Sequence, residues 1–261
     1  MTAYYNENDP RAASWLRELI NADAIAPGDV DERDIRDVRP ADLEPYQQCH
    51  FFAGIGGWSL ALRLAGWPDD RPVWTGSCPC QPFSAGGRGA GFADERHLWP
   101  SWFHLISQRQ PPVIFGEQVS RVEGLAWWDL VHSDLQMVGY ASAAEDICAA
   151  CIGAYHIRQR LFWVAHTGRS RLEVQRKQQT RHQRPTTQRS GSAVWSDCLW
   201  IPCQDGKTRP IEPGTLPLVD GLPGRVGLVR GYGNAIVPWL AANFIEIFSE
   251  FENRQIIHST V

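Results

Sequence analysis

The length of 261 residues predicts one α/β domain with a small appendage. The formal net charge of −4 at pH 7 argues against a uniformly basic nucleic-acid binder. Its seven cysteines lack the regular spacing of a disulfide framework, so we expect free thiols in a reducing compartment. The N-terminus is polar and no apolar run approaches the ~18 residues of a membrane span, and both features predict a cytoplasmic protein without membrane contact.

The first predicted unit is a strand, a helix and a second strand. Tyr4–Glu7 has the character of a short strand that ends on a carboxylate. Asn8-Asp9-Pro10 then predicts a helix start, and the apolar stripe of that helix runs to about Ile20. Pro27-Gly28 indicates a loop, and the charged run Arg33–Val38 predicts a short edge strand.

A glycine-rich turn follows the next predicted strand. The segment His50–Gly57 places an apolar strand before the glycines, and Trp58–Ala65 continues at helical spacing until Gly66. This order is typical of a site for a nucleotide-like ligand, because glycine lets the backbone approach the ligand and the helix N-terminus offers free N–H groups. A glycine loop alone is a weak signal, and the flanking elements strengthen it.

A cysteine between two prolines follows the short apolar strand Val73–Gly76. Pro79 fixes its own backbone and Pro82 keeps the residue before it out of the helical region, so the loop presents Cys80 at a strand end. Open α/β sheets hold their chemistry at that place. For such a loop alone, a buried core cysteine or a metal pair formed with Cys78 is the preferred interpretation. The other motifs of the chain reverse that preference in favour of a nucleophile.

The next predicted strand ends on an acid. A helix from about Glu95 to Gln108 leads into the buried-type strand Pro112–Glu117, which places that carboxyl group on the same sheet edge as Cys80. A second helix is predicted over roughly Gly124 to Val138.

Two arginines open the following apolar strand, Leu161–Ala165. Arg158 and Arg160 are two residues apart and therefore face the same side of a strand. Alternatively, the pair could be solvated charges at a sheet edge.

The composition changes sharply after His166, where apolar residues nearly vanish and Glu173 is the single acid before Ser196. Such a run is either a disordered loop or a phosphate-contacting surface, and its place in an otherwise acidic chain favours the second. Residues 201–224 are rich in Pro, Gly and Asp and predict turns with little regular structure. The basic residues between His166 and Ser196 are Arg169, Arg171, Arg176, Lys177, Arg181, Arg184 and Arg189.

An amphipathic helix closes the chain.

Five motifs occur in a fixed order along the chain, and together they resemble the DNA (cytosine-5) methyltransferase family, especially the small orphan enzymes of phages and prophages. The likeness covers most of the chain outside the basic run. It implies a class I S-adenosylmethionine-dependent, Rossmann-like α/β fold, with a mixed seven-stranded sheet, helices on both faces and a small irregular target-recognition domain. The motifs are Phe52-Ala53-Gly54-Ile55-Gly56-Gly57, Pro79-Cys80-Gln81-Pro82-Phe83-Ser84, Glu117-Gln118-Val119, Arg158-Gln159-Arg160 and Gly233-Asn234-Ala235-Ile236-Val237-Pro238.

The resemblance implies an enzyme that transfers a methyl group from S-adenosylmethionine to C5 of a flipped-out cytosine in duplex DNA, through a covalent bond to C6. It implies as catalytic residues Cys80, Glu117, Arg158 and Arg160. It implies as cofactor contacts Phe52, Ala53, Gly54, Ile55, Gly56, Gly57, Trp58, Glu7, Asn8, Asp34, Ile35, Pro79, Asn234, Ala235 and Ile236. The predicted DNA contacts are Gln81, Ser84, Arg88, Arg169, Arg171, Arg176 and Lys177. No metal is implied.

The same likeness divides the chain into a catalytic domain, residues 1–165 and 229–261, and a small target-recognition region, residues 166–228. We expect a monomer that binds double-stranded DNA and has no obligate protein partner.

The chain departs from the family pattern at three places. Gln118 stands where the family has Asn, and His156 stands where it has Gln. The family also places two acids, one for the cofactor ribose and one for its adenine, between the glycine loop and the Pro-Cys loop. Residues 58–78 leave room for only one helix and one strand.

The missing strand-helix-strand unit is similar to residues 1–40. We therefore hypothesise a circular permutation in which this unit precedes the glycine loop, and the sheet topology allows it without crossing connections. Glu7 would then bind the ribose hydroxyls and Asp34 the adenine amino group, with Asp29 as the rival for the second role. The hypothesis requires the strand that ends at Glu7 to pair beside Phe51-Phe52.

Three alternatives stay open. Cys148 and Cys151 have a spacing that suits zinc and could act with Cys198 and Cys203, although they lie in an alanine-rich apolar run where buried thiols are ordinary. The substrate could be cytosine in RNA, against which the long basic run argues. The chain could be a non-catalytic DNA-binding relative, but such a protein would be free to lose Cys80 or Glu117, and both are present.

Overall fold

A computed structural model describes residues 3–79, 98–120, 122–149, 158–167, 199–202, 208–211 and 236–258. Seven strands of this part form one sheet in the order β2-β1-β3-β4-β5-β7-β6. The strands are β1 Ala3–Asn6, β2 Gly28–Asp31, β3 Gln48–Phe51, β4 Val73–Gly76, β5 Val113–Val119, β6 Ala141–Cys148 and β7 Gln159–His166.

The sheet is mixed. Strands β2, β1, β3, β4 and β5 pair in parallel, whereas β7 runs antiparallel to both β5 and β6. The carboxyl ends of the five parallel strands therefore meet at one edge. The predicted fold class, a seven-stranded mixed sheet with helices on both faces, is confirmed.

Within the described ranges, five α-helices cover the two faces of the sheet, because successive strand residues point to opposite sides. One face packs a cluster that includes Trp74, Ile114 and Trp163 against α3 and α4. The other face packs Phe115 and Phe162 against α2 and α5, with α1 over the adjoining strands. No helix in the described ranges is long and apolar enough to span a membrane. The helices are α1 Pro10–Asn21, α2 Gly57–Leu64, α3 Trp99–Arg109, α4 Val122–Met137 and α5 Pro238–His258.

The first strand of the chain lies inside the sheet. β1 pairs in parallel with both β2 and β3, with Tyr5 opposite His50 and Asn6 opposite Phe51. This is the pairing that the permutation hypothesis requires. α1 connects β1 to β2 and begins as the sequence predicts, because the Asp9 carboxylate accepts hydrogen bonds from the backbone N–H groups of Arg11 and Ala12.

The predicted edge strand Arg33–Val38 is wrong. The edge strand is β2, which begins at Gly28 where a loop was predicted, and Ile35–Asp37 forms a 3₁₀ turn. The Asp34 carboxylate caps this turn by accepting the Arg36 backbone N–H at 2.9 Å. Such a local side-chain hydrogen bond offers the backbone an alternative to the strand ladder, which explains the difference.

Three further strands were not expected from the sequence. β6 was not predicted, because Ala141–Cys148 consists mostly of alanine and acidic residues and has Ile147 as its single β-branched residue. Residues 201–224 were expected to form turns with little regular structure, and within them Thr208–Ile211 (β9) pairs antiparallel with Leu199–Pro202 (β8), which begins just before that segment.

Two glycines in neighbouring strands lie under tryptophan rings. Gly76 of β4 is paired with Gly116 of β5. A Cβ atom at Gly116 would lie 2.1 Å from Cε2 of Trp163, and one at Gly76 would lie 2.6 Å from Cη2 of Trp102. Both rings are fully buried, so the space over these strands is filled by indole rings that require glycine beneath them.

We expect Gly116→Ala to lower the free energy of unfolding by about 1–3 kcal/mol, the usual cost of adding atoms to a packed core. Urea unfolding of the variant measures this loss. Trp163→Leu in the same chain should recover part of it, because the smaller side chain makes room for the new methyl group. Additive losses in the double variant would contradict the steric explanation.

Candidate active site

Glu117 lies near the carboxyl end of β5 and is only 6 % exposed. Its Oε1 atom lies 2.7 Å from Nε of Arg160, which belongs to the antiparallel neighbour β7 and sits opposite Val119. Arg158, just before β7, also acts on the Glu117 carboxyl group through its charge. The structure thus brings together the acid and both arginines that the sequence singled out.

Burial is the main influence on the Glu117 carboxyl group and raises its pKa above the ordinary value. The charges of Arg160 and Arg158 and a hydrogen bond from Ser77 act in the opposite direction without cancelling that effect. Burial also lowers the pKa of Arg158, as does the nearby positive charge of Arg160. A carboxyl group whose pKa is raised by burial and lowered by neighbouring charges is suited to giving up and taking back a proton.

The start of the Pro-Cys loop is attached to β5 by Gln118. Its Nε2 donates a hydrogen bond to the Cys78 carbonyl oxygen at 3.1 Å, and its Oε1 accepts the backbone N–H of Val119 at 2.9 Å. Gln118 is buried. The residue that replaces the family's Asn therefore contacts the chain two positions before Cys80.

The glycine loop has the backbone geometry that its glycines allow. Gly54 and Gly56 have φ angles of 55° and 80°, and Phe52 before them is also left-handed, with a φ of 52°. Gly56 is the residue before the first turn of α2. The predicted strand, turn and helix are therefore present.

Glu7 reaches the glycine loop from the end of β1. Its Oε2 accepts the backbone N–H of Gly54 at 2.7 Å, and its Oε1 accepts that of Asp9 at 2.9 Å. Each carboxylate oxygen can accept a second hydrogen bond, so hydroxyl groups of a ligand could still bind there.

The glycine loop fits a nucleoside-type cofactor such as S-adenosylmethionine. A Cβ atom at Gly54 would meet nothing within 4 Å among the described residues, so a ligand could approach this backbone. Ile236, from the last sequence motif, packs directly against Gly57. These residues, with Glu7, form a glycine cradle next to a carboxylate, which is the donor and acceptor set that a ribose requires.

The two rivals for the adenine contact lie in different places. Asp34 follows β2 in the capped turn, and its ion pair with Arg36 lowers its pKa to about 2. Asp29 lies within β2 and accepts a hydrogen bond from the Tyr46 hydroxyl, which precedes β3. Only Asp34 is therefore on the carboxyl side of the strands, where the glycine loop begins.

Four other predicted cofactor contacts have clear positions. Trp58 is buried, stacks on Phe115 and directs its indole N–H toward the Pro-Cys loop. Ile35 is buried in the core, Asn8 is exposed, and the half-buried Phe52 meets Trp102 edge to face. Ala53 is buried, and Ile55 and Pro79 are half-buried. The other predicted site residues, like His156, lie outside the described ranges: Cys80, Gln81, Ser84, Arg88, Arg169, Arg171, Arg176, Lys177, Asn234 and Ala235.

Sequence reasoning missed one polar residue of the site. Ser77 lies between β4 and the Pro-Cys loop and contacts both Trp58 and Glu117. Its position directly after a strand, beside the predicted acid of the next strand, was the available signal.

In the described part of the chain no group of three or more His, Cys, Asp or Glu side chains could hold a metal ion. Of the four candidate zinc cysteines, only Cys148 falls within that part.

Residues 67–197 match the C-5 cytosine-specific DNA methylase family. The chain is 31% identical to the Type II methyltransferase M.AplI of Arthrospira platensis, over 44% of each protein. It is 26% identical to the Type II methyltransferase M.NlaX of Neisseria lactamica, over 50% of this chain and 44% of that protein. The aligned part thus spans less than half the length of these two curated relatives.

Solved structures resemble the chain more distantly. A mutant of Spodoptera frugiperda DNMT2 aligns with a TM-score of 0.40 and 13% identity, covering 64% of this chain and 50% of that one. Entamoeba histolytica methyltransferase EhMeth aligns with a TM-score of 0.39 and 13% identity, covering 64% and 53%. Because the family match extends over half of its 261 residues, this chain belongs to the C-5 cytosine-specific DNA methylase family.

Proposed function

We propose that this protein is a DNA (cytosine-5) methyltransferase that forms a transient covalent bond between Cys80 and its substrate. The observation that carries the proposal is the position of Glu117, buried at the end of β5, held by Arg160 at 2.7 Å and hydrogen-bonded to Ser77 three residues before Cys80. An acid and two cations beside the strand end that leads into the Pro-Cys loop are groups that this chemistry needs, with Cys80 as the proposed nucleophile.

Cytosine C5 is a poor nucleophile, so electron density must be pushed into the ring. The Cys80 thiolate adds to C6 and forms an S–C6 bond, and the electron pair of the C5–C6 double bond moves through C4 toward N3. The Glu117 carboxyl group gives its proton to N3 as that charge develops. C5 then takes up the methyl group, and the broken S–CH3 bond would leave its electron pair on the sulfur of the donor, which becomes a neutral thioether. Loss of the C5 proton to a base breaks the S–C6 bond, and N3 returns its proton to Glu117.

The methyl group would be supplied by S-adenosylmethionine, whose sulfonium makes it transferable without a metal. Glu7 would bind the ribose hydroxyls, and the backbone of the glycine loop from Phe52 to Gly57 would face the cofactor. Asp34 is the better candidate for the adenine amino group than Asp29, because it lies beyond the carboxyl end of β2. The predicted contacts of Asn234 and Ala235 belong to the same proposal.

A circular permutation accounts for the position of these acids in the chain. Glu7 and Asp34 precede the glycine loop in sequence, yet β1 and β2 lie beside β3, and the Glu7 carboxylate accepts a hydrogen bond from Gly54. The proposal is that residues 1–40 are the unit that other members of the family carry after the glycine loop.

Arg160 and Arg158 would hold the cytosine O2 and the adjoining phosphate. Arg160 is the first candidate for the base contact, because its Nε already binds the Glu117 carboxylate and its side chain keeps some exposure. A base inside a duplex cannot reach such a site, so the target must be flipped out. Residues 166–228 would then form the target-recognition region of a monomer, with phosphate contacts from the basic run.

The test is to incubate the purified protein with methyl-labelled S-adenosylmethionine and either duplex DNA or RNA of the same sequence. We expect label at C5 of cytosines in DNA within a short sequence context. Expression in a host without cytosine methylation, followed by mapping of modified cytosines, gives the same result in vivo. Label in RNA alone would support the RNA alternative, and no label in either would leave the non-catalytic alternative.

We expect Glu7→Gln to weaken S-adenosylmethionine binding by about tenfold or more, because hydrogen bonds to a charged acceptor are worth more than those to an amide. Isothermal titration calorimetry measures the affinity. Glu18→Gln, an exposed change on α1, is the matched control and should bind normally. Equal affinities for the Glu7→Gln and wild-type proteins would remove Glu7 from the cofactor site.

A further inference from the structure

Ser77 is the first residue after β4, where the chain leaves the sheet for the Pro-Cys loop. The register of the parallel pair places Gly76 opposite Gly116, so Ser77 follows beside Glu117. The side chain is half-buried. Its position is therefore determined by the sheet and not by the loop that follows.

The Ser77 hydroxyl is held from one side by an indole. Nε1 of Trp58 lies 3.1 Å from Oγ of Ser77. An indole N–H can only donate, so Ser77 accepts this hydrogen bond and keeps its own proton to donate elsewhere. Trp58 is 4 % exposed and packs against Phe115 and Phe162, so the donor has little freedom to move.

On its other side the hydroxyl group forms a hydrogen bond with the Glu117 side chain. That bond lowers the pKa of Glu117, as expected when a hydroxyl donates to a carboxylate. In the described part of the chain, the charged groups that act on Glu117 are Arg160 and Arg158 from the β7 side. Ser77 is the polar contact from the β4 side.

We propose that Ser77 is a positioning residue for methyl transfer, which accepts a hydrogen bond from Trp58 and donates one to the Glu117 carboxyl group, and so holds that group in place. This inference rests on the proposed function. Arg160 fixes the carboxyl group from β7 and Ser77 fixes it from β4, so the group cannot rotate away from the flipped base. The same hydroxyl group steadies the carboxylate that remains after the proton has moved to N3.

The experiment compares the pH dependence of single-turnover methyl transfer for Ser77→Ala, Ser77→Thr and Trp58→Phe. Transfer needs protonated Glu117, so kcat/KM falls as the pH rises above the pKa of this carboxyl group, whereas protonation of the Cys80 thiolate limits the rate on the acid side. Ser77→Ala removes a bond to the charged form, which moves this fall to higher pH and slows transfer about threefold to tenfold below it. Trp58→Phe should also move the alkaline fall to higher pH and slow transfer, but each effect should be smaller than in Ser77→Ala. Ser77→Thr keeps the hydroxyl group and should restore the wild-type profile.

A second measurement does not depend on turnover. The ¹³C signal of the Glu117 carboxyl group should titrate at higher pH in Ser77→Ala than in wild type. Ser133→Ala changes an exposed serine on α4 whose hydroxyl group donates to the Asp129 carbonyl oxygen in the same helix; it is the control and should change neither result. If Ser77→Ala fails to fold, Trp58→Phe carries the same two tests.

An unchanged alkaline limb together with an unchanged Glu117 titration in Ser77→Ala would overturn the inference, even if the variant were slower. Absence of methyl transfer by the wild type would contradict the proposed function instead. The ¹³C titration would then still decide whether Ser77 controls the Glu117 carboxyl group, so the two failures can be told apart.

Discussion

Cys80→Ala is expected to abolish methyl transfer, with a loss of roughly 10⁴-fold or more, as for removal of other covalent nucleophiles. Without a thiolate at C6, C5 lacks the electron density to take up a methyl group. The proposed cofactor contacts Glu7 and Gly54 follow other strands, β1 and β3, so binding of S-adenosylmethionine should be unchanged. Transfer of labelled methyl groups and calorimetry on the same preparation measure the two effects.

The control for a missing thiol is Cys148→Ala. Cys148 is a free, partly exposed cysteine at the end of β6, and its removal should leave transfer at the wild-type rate. DNA with 5-fluorocytosine at the target should trap the wild type covalently, because fluorine cannot leave as the proton does, and should not trap Cys80→Ala. Substantial methylation by Cys80→Ala would contradict the covalent mechanism.

Glu117→Gln is expected to slow methyl transfer by about 10²–10⁴-fold, the usual contribution of a positioned general acid. The amide has nearly the shape of the carboxyl group but cannot give a proton to N3. The fall of kcat/KM at alkaline pH that reports Glu117 should also disappear. Single-turnover rates across pH, with S-adenosylmethionine saturating, measure both.

The sheet provides a matched control for this change. Phe162 of β7 has Glu117 opposite it on β5 and Glu145 opposite it on β6. Glu145 is exposed, whereas Glu117 is buried. Glu145→Gln should therefore keep the wild-type rate and profile. If both variants lose activity equally, the cause is strand stability and not proton transfer.

Local patterns were sufficient for the elements that carry the motifs. The N-cap Asp9, the glycine turn before α2 and the apolar runs of β4 and β5 act within a few residues, so the sequence predicts them directly. Where local hydrogen bonding competes with the ladder, as in the turn capped by Asp34, the predicted strand was wrong. β6 was missed because its alanines carry little strand preference.

The amino-acid sequence alone determined three parts of the site, because residue type and spacing are local properties. These parts are the acid at the end of β5, the two arginines before and within β7, and the glycine turn. Only the tertiary structure decided that Glu7 reaches Gly54 and that Trp58 donates a hydrogen bond to Ser77 at the carboxyl end of β4, beside β5. These contacts join residues far apart in the chain. They depend on strand order and register, which arise from packing the whole sheet and not from any single segment.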